Sequence, residues 1–180
     1  MKIVLAGFMG TGKSVVGRRL AERLAVPFID LDVAIEAAAG MTIPEIFASE
    51  GEPGFRRRER EMIAGVAHRS AGVIATGGGA VVDPENLRNL KNGAVLVCLT
   101  AEPAVILHRL GDDAGRPLLQ SPDRLTRICE LLAQRAPAYA QADLSIDTSG
   151  MEIEEIVDRI IVHLGIDRQT QLSPLSLGEG

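Results

Sequence analysis

Short apolar runs alternate along the chain with longer stretches whose apolar positions recur at helical spacing. The runs, each bounded by turn residues, fall at residues 2–6, 27–31, 72–75, 94–99 and 143–147. Between them the spacing is that of amphipathic helices, beginning with Val15, Val16, Leu20 and Leu24. Strands and helices in strict alternation predict an α/β fold whose parallel sheet is covered on both faces. Helix starts carry chemical signals as well. Thr42-x-x-Glu45 and Ser149-x-x-Glu152 read as capping boxes, and Asp83-Pro84 and Ser121-Pro122 as an N-cap followed by proline. The segment 110–120, with Gly111-Asp112-Asp113-Ala114-Gly115, has no apolar periodicity and two glycines, which suits a lid. Residues 168–180 are polar and aperiodic and read as a disordered tail behind a single domain spanning 1–167.

Composition narrows the choice of partner. The 180 residues carry a net charge of −5 with few aromatics, which argues against nonspecific nucleic-acid binding and for a small molecule. Cys98 and Cys129 lack metal-site or disulfide spacing and read as core residues of a reducing compartment. A glycine-rich loop opens at residue 7, leaving no room for a leader, and no apolar run is long enough to span a bilayer. A cytoplasmic location is expected, and the absence of long heptads or an apolar patch favours a monomer.

That loop carries the strongest chemical signal. Gly7-Phe8-Met9-Gly10-Thr11-Gly12-Lys13-Ser14 fits G-x-x-x-x-G-K-[ST] and follows directly on Ile3-Val4-Leu5-Ala6. Glycines let successive backbone N–H groups converge on an anion at the start of the next helix. Lys13 would reach the β and γ phosphates and Ser14 would ligate Mg²⁺.

Other positions place charge where a core is expected. Asp30 and Asp32 lie at the carboxyl end of the second strand, the edge where open α/β sheets bind ligands. One could hold Mg²⁺ and the other accept a proton from an attacking hydroxyl, or Asp32 could simply cap the helix Val33 to Ala39. Phe55, Glu59, Met62, Ile63 and Val66 share one helical face with Arg56 at its margin, so Arg56 either pairs with Glu59 or serves a ligand. Arg57 can pair with Glu61 at i,i+4. Arg135 falls on the buried stripe Ile128, Leu131, Leu132, Tyr139 and needs an anionic partner, from the protein or from a ligand. Gly77-Gly78-Gly79 follow the third strand and allow close approach of a ligand, or form a plain turn. Arg116, at the far end of the lid segment, could neutralise charge on a transferring phosphoryl group.

GFMGTGKS, Phe28-Ile29-Asp30-Leu31-Asp32, Phe55-Arg56-Arg57, the triple glycine, Arg116-Pro117-Leu118-Leu119 and Arg135-Ala136-Pro137-x-Tyr139 occur in that order. Together they resemble the shikimate kinase family over about residues 1–165. The resemblance implies a three-layer α/β/α, nucleoside-monophosphate-kinase-like P-loop fold with a five-stranded parallel sheet, substrate-binding helices over about 32–60, and a lid. It implies ATP- and Mg²⁺-dependent phosphorylation of the 3-hydroxyl of shikimate, on the route to chorismate and the aromatic amino acids. By position, Gly10, Thr11, Gly12, Lys13, Ser14 and Val15 would contact nucleotide, with Arg109 against adenine and Arg116 reaching over from the lid. Ser14 and Asp30 would hold Mg²⁺, and Asp32 would serve as base, which settles its ambiguity towards chemistry. Arg56 and Arg135 would clamp the substrate carboxylate, Gly77, Gly78 and Gly79 would present backbone to its hydroxyls, and Glu59 would orient Arg56. Phe47 and Phe55 would wall the ring. The departures are an acidic lid and, at Asp147-Thr148-Ser149-Gly150, no basic residue beside the adenine site. A gluconate-kinase-like enzyme shares the loop and fold, and a non-catalytic nucleotide-binding regulator is the reading from another class. Asp32 with the triple glycine and R-A-P-x-Y favours shikimate over the first, and a regulator has no need of a base.

Overall fold

A computed structural model describes residues 1–111 and 117–166. The five apolar runs become β1 (Lys2–Gly7), β2 (Phe28–Asp30), β3 (Gly72–Ala75), β4 (Ala94–Thr100) and β5 (Leu144–Asp147). All pair in parallel, in the order β2-β3-β1-β4-β5. The chain places β2 and β3 on one side of β1, then crosses to place β4 and β5 on the other. Such a reversal opens a crevice beyond the carboxyl ends of the central strands. The helices are α1 (Lys13–Leu24), α2 (Leu31–Ala39), α3 (Ile43–Ala67), α4 (Pro84–Lys91), α5 (Pro103–Leu110), α6 (Arg124–Tyr139) and α7 (Ile153–His163).

Strand alternation sorts the core into two layers. Ile3 and Leu5 pack with Val16 and Leu20 of α1 and Val157 and Ile160 of α7. Val4 and Ala6 point the other way, onto Ile63 and Val66 of α3 and Leu87 and Leu90 of α4. Two satellite clusters build the walls of the crevice. Phe8 packs with Ile106 and Leu110 of α5 and Ile128 and Leu131 of α6, while Ile35, Ile46 and Phe55 join α2 to α3. Lys2 is a buried exception in β1, its ammonium donating to the Ala67 carbonyl at 2.8 Å and so closing the last turn of α3.

The capping box at Thr42 and the Asp83 cap with Pro84 form as the sequence predicts. The structure shifts other starts. Asp30 rather than Asp32 caps α2, because Asp30 is the last extended residue and its carboxylate reaches the N–H groups of Asp32 and Val33. Asp123 rather than Ser121 caps α6, accepting from Thr126 N at 3.0 Å, which leaves Pro122 ahead of the helix. At α7 the Glu155 carboxylate accepts from Glu152 N at 2.8 Å, while Ser149 Oγ is taken by Glu102 N. Val15 points off the buried stripe of α1 and is 56% exposed. Arg57 pairs with Glu50 at 3.1 Å instead of Glu61, because Gly51, at φ 68°, kinks α3 and brings Glu50 back alongside. Cys98 is buried in β4, but Cys129 is exposed on α6, one position past the stripe residue Ile128. The lid reading at 112–116, Arg116 with it, and the tail reading at 168–180 lie outside the described residues.

Candidate active site

The loop between β1 and α1 requires its glycines. Gly7 sits at φ 133°, and a Cβ there would lie 2.1 Å from the Leu99 carbonyl oxygen, so both conformation and space demand glycine. Gly10 and Gly12 are also at positive φ. Inside the loop the Phe8 carbonyl accepts from Thr11 Oγ1 at 2.7 Å and from Lys13 Nζ at 2.8 Å. No side chain caps α1, so the N–H groups of its first turn face the crevice as an anion site.

Two strand ends flank this loop. Ser14 Oγ donates to Asp30 Oδ2 at 2.5 Å, while Asp30 Oδ1 holds the first turn of α2. A hydroxyl and a carboxylate oxygen side by side at the mouth of a phosphate loop are the donors that a hard cation accepts, with phosphate oxygens and water completing its shell. Among the described residues no cluster of three His, Cys, Asp or Glu side chains forms a protein cage. Since Asp30 does the capping, the Asp32 side chain is released into the crevice, where it lines a cavity of about 680 Å³ together with Lys13, Ser14 and Asp30.

The far half of that cavity is built from α3, α6 and the turn after β3. Arg56 Nη1 donates to Glu59 Oε2 at 2.8 Å, and Arg56 also meets Glu52 at 3.3 Å. Burial works against the Arg56 charge, but the two glutamates outweigh it and raise its pKa. Glu59 is itself buried, and its pKa is raised, first by burial and then by Asp32, against the pull of Arg56 and Arg135. Arg135 is 5% exposed and stacks over the Phe8 ring at 5.1 Å. Its Nη1 is buried with no hydrogen-bond partner among the described residues. A guanidinium so placed calls for an anion in the cavity it faces.

The triple glycine explains how these charges converge. A Cβ at Gly77 would lie 2.9 Å from both Asp32 Oδ1 and Glu59 Oε1, one at Gly78 would lie 3.1 Å from Arg135 Nη1, and one at Gly79 2.7 Å from Arg56 Nη2. Four charged side chains therefore press on three residues that have none. Phe47 and Phe55, ring centroids 5.1 Å apart, line the same cavity.

Arg109 stands apart from the cavity lining. It donates to the Thr148 carbonyl at 2.6 Å, to Thr148 Oγ1 at 2.9 Å and to the Gly10 carbonyl at 3.3 Å, tying the β5–α7 connection to the phosphate loop. Thr148, read in the sequence only as part of a stretch without a basic residue, is the buried threonine that receives Arg109. Phe8 has a role that sequence reasoning passes over, since an x position of the loop motif gives no hint that it supports Arg135.

A phosphate loop, an acidic strand end and an arginine-lined pocket sharing one crevice of a 2-3-1-4-5 parallel sheet place this molecule among the P-loop kinases of small molecules. Its relatives are specific. The family model for shikimate kinase matches residues 9–165, and the chain belongs to the shikimate kinase family. The shikimate kinase of Thermodesulfovibrio yellowstonii is 48% identical over 159 residues, covering 88% of this chain and 92% of its own. Among solved structures, the shikimate kinase of Acinetobacter baumannii in complex with shikimate superposes with a TM-score of 0.88 at 38% identity, covering 96% of this chain and 95% of that one. That of Aquifex aeolicus gives 0.81 at 36% identity, covering 92% and 96%. The family's enzymes are ATP-dependent phosphotransferases. Among the described residues no helix is long and apolar enough to cross a membrane.

Proposed function

We propose that this chain transfers the γ-phosphoryl group of ATP to the 3-hydroxyl of shikimate, giving shikimate 3-phosphate and ADP. The observation that carries the acceptor is Arg135, a buried guanidinium whose Nη1 has no hydrogen-bond partner among the described residues and which faces the same cavity as Asp32. A ligand carboxylate bound by Arg135 and Arg56 turns a ring hydroxyl towards Asp32, with the Gly77–Gly79 backbone reading the remaining hydroxyls. Asp32 accepts the hydroxyl proton as the oxygen bonds to phosphorus. The bond to the ADP oxygen breaks, and Lys13 and the N–H groups of the loop neutralise the charge on the transferred group. Ser14 and Asp30 hold Mg²⁺, which when bound offsets the phosphate charge. Arg109 and Val15 flank the nucleotide, and Arg116, which lies outside the described residues, is assigned to it by the family resemblance alone. Residues 32–60 act as the acceptor-binding part of a single kinase domain, working as a monomer.

The test is ADP production with a panel of hydroxylated acids. Shikimate is expected to support turnover that EDTA abolishes and Mg²⁺ restores. Turnover with gluconate and none with shikimate overturns the reading.

A further inference from the structure

Tyr139 ends the buried stripe of α6, one helical turn beyond Arg135. Its ring packs in the core, and its hydroxyl donates to the Gly78 carbonyl at 2.5 Å. Burial pushes its pKa up to about 12, against both the charge of Arg135 and a hydrogen bond with it, so the hydroxyl remains a donor to Gly78 throughout the working range.

The carbonyl of Gly78 and the N–H of Gly79 belong to one peptide unit. A trans peptide is planar, with the two groups pointing in opposite directions. Fixing the carbonyl into the core therefore aims the Gly79 N–H into the cavity, where it has no acceptor among the described residues. The glycines make this orientation insecure. Gly79 now has φ −104°. Flipping the peptide would carry it into the positive-φ region, which glycine enters freely and other residues do not. A side chain that would forbid the flip has no room, because Arg56 Nη2 stands 2.7 Å from the Cβ position. Space for the arginine thus opens a conformational alternative that something else must close.

We propose that Tyr139 is a positioning residue that locks the Gly78–Gly79 peptide with its N–H towards the acceptor, and so sets acceptor affinity without touching the acceptor. This rests on the proposed shikimate reading for the identity of the ligand, and on geometry alone for the lock.

Tyr139→Phe removes the hydroxyl and keeps the ring, so the packing of α6 is retained. Two measurements decide the matter. Calorimetric titration is expected to show shikimate binding weakened about tenfold, as for loss of a buried hydrogen bond, with ATP affinity changed less than about twofold. In amide NMR spectra of the unliganded protein, the Gly79 cross-peak is expected to shift and broaden while peaks of β1 and α1 stay in place. Unchanged shikimate affinity, or an equal loss for ATP, overturns the proposal. An unperturbed Gly79 resonance overturns it independently. If the wild type itself binds no shikimate, the acceptor reading fails, and the Gly79 resonance still decides for or against the lock.

Discussion

The Arg56 guanidinium occupies the space that a side chain on Gly79 would need, with Nη2 2.7 Å and Nη1 3.0 Å from the position of a Cβ there. Arginine and glycine are fitted to one another across the cavity proposed to take the acceptor. In Gly79→Ala the flexible arginine must yield rather than the backbone, and the fold is kept. Acceptor binding is expected to weaken by about 1–3 kcal/mol, seen as a raised KM for shikimate with KM for ATP nearly constant. A raised KM for both substrates would mean that the backbone had moved instead.

Arg135 stands deeper than Arg56, and among the described residues it forms no ion pair within 4 Å. Arg135→Ala is expected to cost about 2–5 kcal/mol of acceptor binding, the usual consequence of truncating a buried charged contact. Initial rates against each substrate separately measure this, and equal effects on shikimate and ATP would make the arginine structural.

Asp32 is relieved of capping by Asp30, so its replacement tests chemistry with little disturbance to α2. Asp32→Asn is expected to lower kcat by about 10²–10⁴-fold while nucleotide binding, followed by titration, persists. An unchanged rate would remove it from the role of base.

Asp30→Ala combines two losses. Removing the N-cap is expected to destabilise the protein by about 1 kcal/mol, read from denaturant unfolding. Removing the partner of Ser14 is expected to raise the Mg²⁺ concentration needed for half-maximal activity. A stability loss with an unchanged Mg²⁺ requirement would leave only the cap.

Glu59 gives a signature in pH. Burial, then Asp32, raise its carboxyl above the ordinary value of 4.5, against Arg56 and Arg135. The proton is held more tightly in the folded chain than in the unfolded one. The associated stability is complete below the unfolded pKa and is lost as pH rises through the folded one. The wild-type thermal midpoint is therefore expected to fall relative to Glu59→Gln as pH is raised above about 4.5. Parallel curves would mean that Glu59 titrates alike in both states.

Much of this molecule could be read from residue order, because strand and helix periods differ and glycine loops have a fixed grammar. All five strands were expected to within a residue or two, and the buried stripe through Ile128, Leu131, Arg135 and Tyr139 lies as the spacing predicts. The misplaced starts share one cause. At Asp30, Asp123 and Glu152 a second polar residue stood within three positions of the expected cap, and only the backbone decides which one is extended and close enough to serve. Charge pairing was less legible. Arg57 finds Glu50 because Gly51 bends α3, a kink that helical spacing cannot register. The proposed acceptor pocket was legible as candidates but not as a constellation, since contacts between the triple glycine and residues 32, 56, 59 and 135 depend on which strands are neighbours.

The carboxylate of Asp30 is divided between two duties, one oxygen gripping the first turn of α2 and the other facing Ser14. The helix that begins with Leu31 is therefore tied at its first turn to the rim of the phosphate loop, in addition to its packing through Leu31 and Ile35. The two halves of the crevice therefore share one carboxylate, and the phosphate loop and the first turn of α2 meet at a single residue.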